Sequence, residues 1–213
     1  MKQLTISMAI LLCLTLVRPA LALDVQITKG LDSIEVTHKG EKVTIMRNQD
    51  PKHTVTPAYA RTSRKCPPFC IQPIVIAPGV ETIGELEVLD YLKRKETGDD
   101  NIVVIDSRTP DWVERGTIPG SINIPWKTLT PSAGADPFAI VDILVNRFGV
   151  INHEGLLDFS KAKTLVLFCN GMWCGQSPAN IKSLLKFGYP EHKLKWYRGG
   201  MQDWQILGLT TVK

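Results

Sequence analysis

The sequence predicts an α/β fold, a parallel sheet flanked by helices and preceded by a small N-terminal β-meander. Three observations carry that expectation. Beyond residue 80, compact β-branched runs alternate with helix-like segments, the pattern of a parallel sheet covered on both faces. Three of those segments share one punctuation: a capping residue, Pro at the first helical position, and Gly after the last turn. Before residue 50, short runs alternate apolar and polar residues, as half-buried strands do. The composition agrees, since 44% of the 213 residues are hydrophobic and 22% charged, with mean hydropathy near zero, the balance of a chain able to bury a core. The 16 Gly and 14 Pro follow no strict period, which excludes a collagen repeat and a long coiled coil.

Taken in order, residues 1–22 read as a secretory signal peptide. Lys2 gives a basic start, an apolar stretch runs from Met8 to Val17, and Ala20-Leu21-Ala22 offers a small-residue cleavage pattern. Arg18 and Pro19 cut the apolar run well short of the roughly 20 residues that a membrane span needs. Cleavage after Ala22 removes 22 of the 213 residues and leaves 191. Loss of Lys2 and Arg18 takes the net charge from +4 to +2, so neither nucleic acid nor an anionic membrane is an expected partner. The expected location is periplasmic or secreted. Cys13 leaves with the leader, and the four remaining cysteines are Cys66, Cys70, Cys169 and Cys174.

Within residues 23–50, the runs 25–28, 33–38 and 42–47 are the three strands of the expected meander, separated by Lys29-Gly30 and Lys39-Gly40-Glu41. Residues 51–80 read as a linker carrying the motif Cys66-Pro-Pro-Phe-Cys70. The α/β domain then occupies 81–213. Thr82-Ile-Gly-Glu85 has the form of a capping box before a helix carrying Leu86, Leu89 and Leu92, with Gly98 to end it. Later helices are expected from Thr109-Pro110 to Gly116, Asp136-Pro137 to Gly149 and Ser177-Pro178 to Gly188. Strands are expected at 102–105, 121–124, 164–168 and 195–197.

Chemistry in such sheets is built at the carboxyl ends of strands, which directs attention to Asp106 and above all to Cys169. Cys169 follows the strand 164–168 at once, and Asn170-Gly-Met-Trp-Cys-Gly-Gln176 leads into the next helix. A sulfur there faces converging backbone amides and a helix N-terminus, both of which favour thiolate over thiol. The bland reading is a buried cysteine packed as a small hydrophobe. A strand-to-glycine-loop-to-helix junction seldom needs a thiol for packing, so the reactive reading leads.

These residues carry a family resemblance. From about Glu81 onward the chain resembles the rhodanese-like domain. The matching motifs are Val104-Ile-Asp-Ser-Arg108, Gly116-Thr-Ile-Pro-Gly-Ser-Ile-Asn-Ile-Pro125, Val166-Leu-Phe-Cys169, and Tyr197-Arg-Gly-Gly-Met-Gln-Asp-Trp204 with Gly208. The resemblance implies that Cys169 takes sulfane sulfur from a donor, holds it as a persulfide and passes it to a thiol or cyanide. Asn170, Gly171, Met172, Trp173, Gly175, Gln176 and Arg108 would then bind substrate, and Asp106 would be structural. Thr117 stands where the family usually has His, and Trp112 where it often has Glu, which leaves Arg108 to find another acid such as Asp111 or Glu114. No Arg or Lys lies between Asn170 and Gln176, which points away from thiosulfate and towards a neutral or protein-bound persulfide donor. Gly175 occupies the position where phosphatases of related fold need Arg, against phosphatase chemistry.

Cys174 is a candidate resolving thiol for Cys169, an inert buried thiol, or half of a permanent disulfide. Cys66 and Cys70 suit a small structural bridge in an oxidising compartment. All four thiols could in principle hold a structural zinc, but their spacings are not diagnostic and export favours disulfides. The four histidines, His38, His53, His153 and His192, are scattered, and no Gly-rich phosphate loop is present, so no metal or cofactor is expected. The expected function is sulfur transfer or thiol redox chemistry with a small sulfur donor or a protein thiol or persulfide as partner. The alternative is a non-enzymatic binding module in which exposed Met172 and Trp173 recognise a protein.

Overall fold

A computed structural model describes residues 24–213, and the expected leader with Cys13 lies outside the described residues. The chain opens with an antiparallel hairpin, β1 (Ser33–His38) and β2 (Glu41–Met46), then forms one helical turn, α1 (Pro57–Ala60). The α/β unit follows as β3 (Glu81–Ile83), α2 (Glu85–Glu96), β4 (Ile102–Asp106), α3 (Pro110–Val113), β5 (Ile122–Asn123), α4 (Trp126–Leu129) and α5 (Pro137–Phe148). A small hairpin, β6 (Ile151–His153) and β7 (Leu156–Asp158), precedes β8 (Thr164–Phe168), α6 (Gln176–Lys186), β9 (Leu194–Tyr197) and α7 (Gly200–Ile206).

Five strands make one parallel sheet in the order β3-β9-β8-β4-β5. Strand periodicity divides the core into two layers. Val103, Ile105, Leu165, Leu167 and Trp196 face α5 and α6 on one side. Val104, Val166, Phe168 and Tyr197 face α2 and α7 on the other. With both faces covered, the central strands read as unbroken hydrophobic runs. The β1-β2 hairpin joins the second layer through Ile34, Val36 and Ile45, so it is built onto the domain.

Several expectations need correction. The meander has two strands, because residues 25–31 fold back on themselves. Leu31 donates to the Thr28 carbonyl and Ile27 to that of Leu31, which satisfies these groups locally. Thr82 lies in β3, and α2 is capped two residues later, where the Glu87 carboxylate accepts from the Gly84 amide at 2.9 Å. The expected strand at 121–124 shrinks to Ile122–Asn123. Strands β3, β6 and β7 are too short to leave a period-2 signal. Helix α5 matches expectation, with Asp136 capping the Phe138 amide and Gly149 closing at φ 74°. Helix α6 instead starts at Gln176, which places Ser177 inside the helix with no capping role.

Candidate active site

Strand β8 lies between β4 and β9 and pairs Phe168 with Asp106, so the two strands end level, one on Asp106 and the other on Phe168, with Cys169 the next residue. The Ser107 amide donates to the Phe168 carbonyl at 2.9 Å and extends the pairing past the strand ends. Cys169 and Cys174 are both unbridged and buried, with Cys169 only 2% exposed.

The surroundings of Cys169 favour its anion. The Ser177 hydroxyl lies 3.1 Å from Sγ, and Trp196 Nε1 donates to that hydroxyl oxygen, also at 3.1 Å. An indole N–H can only donate, so it occupies a lone pair of Ser177 and leaves the hydroxyl proton for the sulfur. Burial alone would raise the Cys169 pKa. Hydrogen bonds from Cys174, from the Ser177 hydroxyl and from the Ser177 and Gly171 amides outweigh it and bring the thiol down to about 7. Cys174 goes the other way: burial and the neighbouring Cys169 sulfur hold it above the usual thiol range. Ionisation of the pair therefore begins at Cys169, while Cys174 stays a thiol.

The loop is fixed from behind by α7. Met201 N donates to the Cys169 carbonyl at 2.9 Å and Gln202 N to that of Asn170 at 3.0 Å. Gly200 makes this approach feasible: its φ is 56°, and a Cβ there would sit 2.3 Å from the Cys169 carbonyl oxygen. The Gly-Gly pair at 199–200 is thus a docking device for the cysteine loop.

Arg108 does not line a substrate opening. It is fully buried, and its Nη2 lies 2.6 Å from Asp106 and 2.7 Å from the Gly116 carbonyl. Neither Asp111 nor Glu114 is its acid. Asp111 pairs instead with Arg115 at 3.7 Å, because Asp106 is two residues away and already buried beside Arg108. Thr117 completes the acid's shell by donating to Asp106 at 2.7 Å. Arg108 Nη1 also donates to the Tyr59 hydroxyl at 2.8 Å, and Tyr59 in turn donates to Asn170 Oδ1 at 3.0 Å. Burial pushes the Tyr59 phenol up to about 12, which keeps that proton in place. Asp106, Arg108, Tyr59 and Asn170 form a continuous brace to the residue after Cys169.

Segment 57–72, part of the expected linker 51–80, covers the loop. Met172 and Trp173 are half-buried, not exposed. The Gln72 amide donates to the Met172 carbonyl at 2.8 Å. Trp173 is packed edge-on by Phe69 at 5.5 Å, carries the Arg64 guanidinium 4.3 Å from its ring, and donates to Gln202 at 2.7 Å. Cys66 and Cys70 are disulfide-bonded, which removes both from any four-thiol zinc site, and no cluster of metal ligands is found among the described residues. Gly175 is exposed at the helix start, and Gln176 Oε1 lies 3.6 Å from Cys174 Sγ. Tyr59, Arg64, Gln202 and Trp196 were not expected in the site. Only Ser177 carried a signal, as the first hydroxyl after the loop.

The site is thus a buried, unbridged cysteine at the end of the central strand of a five-stranded parallel sheet. The rhodanese-like domain family matches residues 88–207, more than half of the chain, and the protein belongs to it. Among solved structures, the human single-domain sulfurtransferase is 20% identical with a TM-score of 0.36, over 59% of this chain and 96% of that one. A thiosulfate sulfurtransferase from Pseudomonas aeruginosa is 18% identical with a TM-score of 0.40, over 62% of this chain and 20% of that one. A Rhodopseudomonas palustris protein of unknown function, described as a possible tyrosine phosphatase, is 22% identical with a TM-score of 0.42, over 64% of this chain and 88% of that one. No match was found among curated proteins. The matched family region begins after segment 57–72, so the cover over the cysteine loop lies outside it.

Proposed function

We propose that this is an exported sulfurtransferase-like protein that accepts sulfane sulfur on Cys169 and delivers it to a thiol. The observation that carries the reading is the ring around Cys169 Sγ: the Ser177 hydroxyl directed by Trp196, and the Gly171 and Ser177 amides. Donors that hold a thiolate also hold the terminal anion of a persulfide. In the loading step the Cys169 thiolate attacks the outer sulfur of a persulfide RSSH. The new S–S bond forms on Cys169, the donor S–S bond breaks, and RS⁻ leaves with the bonding pair. In delivery, an acceptor thiolate attacks that outer sulfur and Cys169 leaves as thiolate.

Cys174 gives the site a second outlet. Its thiolate can attack the inner sulfur of the Cys169 persulfide, closing a Cys169 to Cys174 disulfide and releasing HS⁻, after which an external dithiol restores both thiols. With Cys169 only 2% exposed, the donor sulfur reaches it when the loop 170–176 and its cover move. Export is supported by the basic-apolar-small pattern of residues 1–22 and by the Cys66 to Cys70 bridge, which suits an oxidising compartment. The binding-module reading keeps the missing loop cation in its favour but loses its exposed recognition residues, since Met172 and Trp173 are half-buried against segment 57–72.

The test is to incubate the reduced protein with a polysulfide or thiosulfate and map added sulfur by mass spectrometry in the parent, Cys169→Ala and Cys174→Ala. One extra sulfur atom on Cys169 is expected, and none in Cys169→Ala. If no donor loads Cys169 even when Cys174 is replaced, the sulfur-transfer reading fails.

A further inference from the structure

The two cysteine pairs differ in access. Cys169 and Cys174 are 2% and 5% exposed. Cys66 is exposed and Cys70 half-buried, and both line a cavity of about 720 Å³ that is also lined by Met172 and Trp173 of the cysteine loop. Thiol exchange requires the attacking thiolate to reach a sulfur. A Cys169 to Cys174 disulfide, once closed, is therefore shielded from a protein dithiol, whereas the Cys66 to Cys70 disulfide is open to one.

Gln72 joins the two pairs. Its amide donates to the Met172 carbonyl at 2.8 Å, and its side chain donates to the Cys70 carbonyl at 3.0 Å. The same Nε2 would lie 3.9 Å from a Cβ on Gly175, the residue after Cys174. Arg198 pins this junction by donating to the Gln72 and Pro73 carbonyls at 2.9 and 3.2 Å. At the other end of the cover, Gln202 donates to the Tyr59 carbonyl at 3.0 Å. Between these anchors residues 61–70 meet the loop through side chains, Arg64 and Phe69 on Trp173. No backbone hydrogen bond joins 61–70 to the loop among the described residues, so this arc can shift while its ends stay fixed. The cover pair is bridged and the site pair is not, which is the state that exchange between them leaves behind.

We infer that Cys66 and Cys70 form an electron inlet for the site, passing reducing equivalents from an external protein dithiol to a Cys169 to Cys174 disulfide. One thiolate of the external protein attacks Cys66 Sγ, the Cys66 to Cys70 bond breaks, and Cys70 leaves as thiolate. The second external thiolate attacks its own partner sulfur and releases Cys66. Cys70 then attacks Cys174 Sγ and expels Cys169, whose lower pKa makes it the better leaving group. Cys66 attacks Cys70 Sγ, the cover disulfide re-forms, and Cys174 leaves and takes a proton. Two electrons have passed from the external dithiol, now a disulfide, to Cys169 and Cys174. Exposed Ile71 and Ile206 at the cavity give the external protein an apolar rim to dock on. The role of the inlet in turnover rests on the sulfur-transfer reading, whereas the exchange itself does not.

The test uses the full mature chain, oxidised with diamide to close both disulfides, and an equimolar amount of reduced thioredoxin as the protein dithiol. After acid quenching and alkylation, peptide mapping should find Cys169 and Cys174 as thiols and Cys66 still bridged to Cys70. In the double variant Cys66→Ser with Cys70→Ser, thioredoxin should open the site disulfide about tenfold or more slowly, and an unchanged alkylation rate of Cys169 in the reduced variant shows that the site is intact. A second pair of variants decides the matter whatever the first does to the fold. Cys66→Ser with Cys169→Ser leaves Cys70 and Cys174, which diamide should join within one chain, whereas Cys70→Ser with Cys169→Ser should bridge far less. Equal thioredoxin rates at an intact site, a cover that opens while the site stays bridged, a parent in which diamide closes no site disulfide, or failure of Cys70 to join Cys174 would each overturn the inference. Sulfur loading of Cys169 without exchange sinks the inlet alone. Exchange without loading sinks the sulfur-transfer reading alone.

Discussion

The Ser177 hydroxyl donates to Cys169 Sγ across 3.1 Å while accepting from Trp196 Nε1 at the same distance. One helix residue thereby links Cys169 to an aromatic residue of the neighbouring strand. Ser177→Ala removes a hydrogen bond to a charged group, worth about 1.5–3 kcal/mol. The Cys169 pKa should rise from about 7, and the iodoacetamide rate near neutral pH should fall about tenfold or more. Trp196→Phe leaves the hydroxyl free to rotate, so a smaller fall is expected. An unchanged alkylation profile in Ser177→Ala would show that the amides alone set the thiolate.

Cys174 contributes to the same balance as a donor. Cys174→Ala should move the alkylation midpoint of Cys169 above about 7, and Cys174→Ser, which keeps a hydroxyl donor, should move it less. The two variants also separate electrostatics from sulfur chemistry. Both lack a thiol to attack the inner sulfur, so both should retain a loaded persulfide longer than the parent, read as slower sulfide release after loading. If release is equally fast in all three proteins, Cys174 does not resolve the persulfide.

Tyr59 couples the buried Arg108 to Asn170 through one hydroxyl. Tyr59→Phe preserves the ring packing and leaves a guanidinium donor and an amide oxygen without that partner. The expected cost is about 1–3 kcal/mol, read as a lower urea midpoint. Loosening of the loop should show as faster amide exchange at residues 170–174. A variant with parental exchange there would mean that α7 alone holds the loop.

How much of this was legible in the sequence follows from the range of each interaction. The sheet and α5 were readable because β-branched runs and Asp136-Pro137 to Gly149 are local signals. So was Cys169, since it directly follows a buried strand. Ser177 looked like a helix cap because Ser-Pro usually is one, yet the helix begins at Gln176 and turns the hydroxyl inward. Arg108 looked like a substrate ligand because nothing local shows that Tyr59, 49 residues earlier, closes over it. Segment 57–72 carries Pro, Thr and basic residues with no period, so its role as a cover is written only in tertiary contacts such as Arg64 on Trp173.

His38 ties the N-terminal hairpin to the domain in a way that depends on its charge state. Its Nδ1 accepts from the Gly120 amide at 3.1 Å, so that nitrogen must be unprotonated, and its Nε2 is buried without a partner. Burial, followed by the nearby Lys39 and Lys95 cations, holds its pKa below the ordinary 6.5. Between the folded and unfolded values the unfolded chain binds more protons, so stability falls as pH drops through that window, by at most about 1.4 kcal/mol per pH unit. Urea midpoints compared at about pH 7.5 and about pH 5.5 should show this loss in the parent protein. His38→Gln, whose amide oxygen can still accept from Gly120, should show a smaller difference between the two conditions. An equal loss in the variant would place the acid sensitivity elsewhere in the chain.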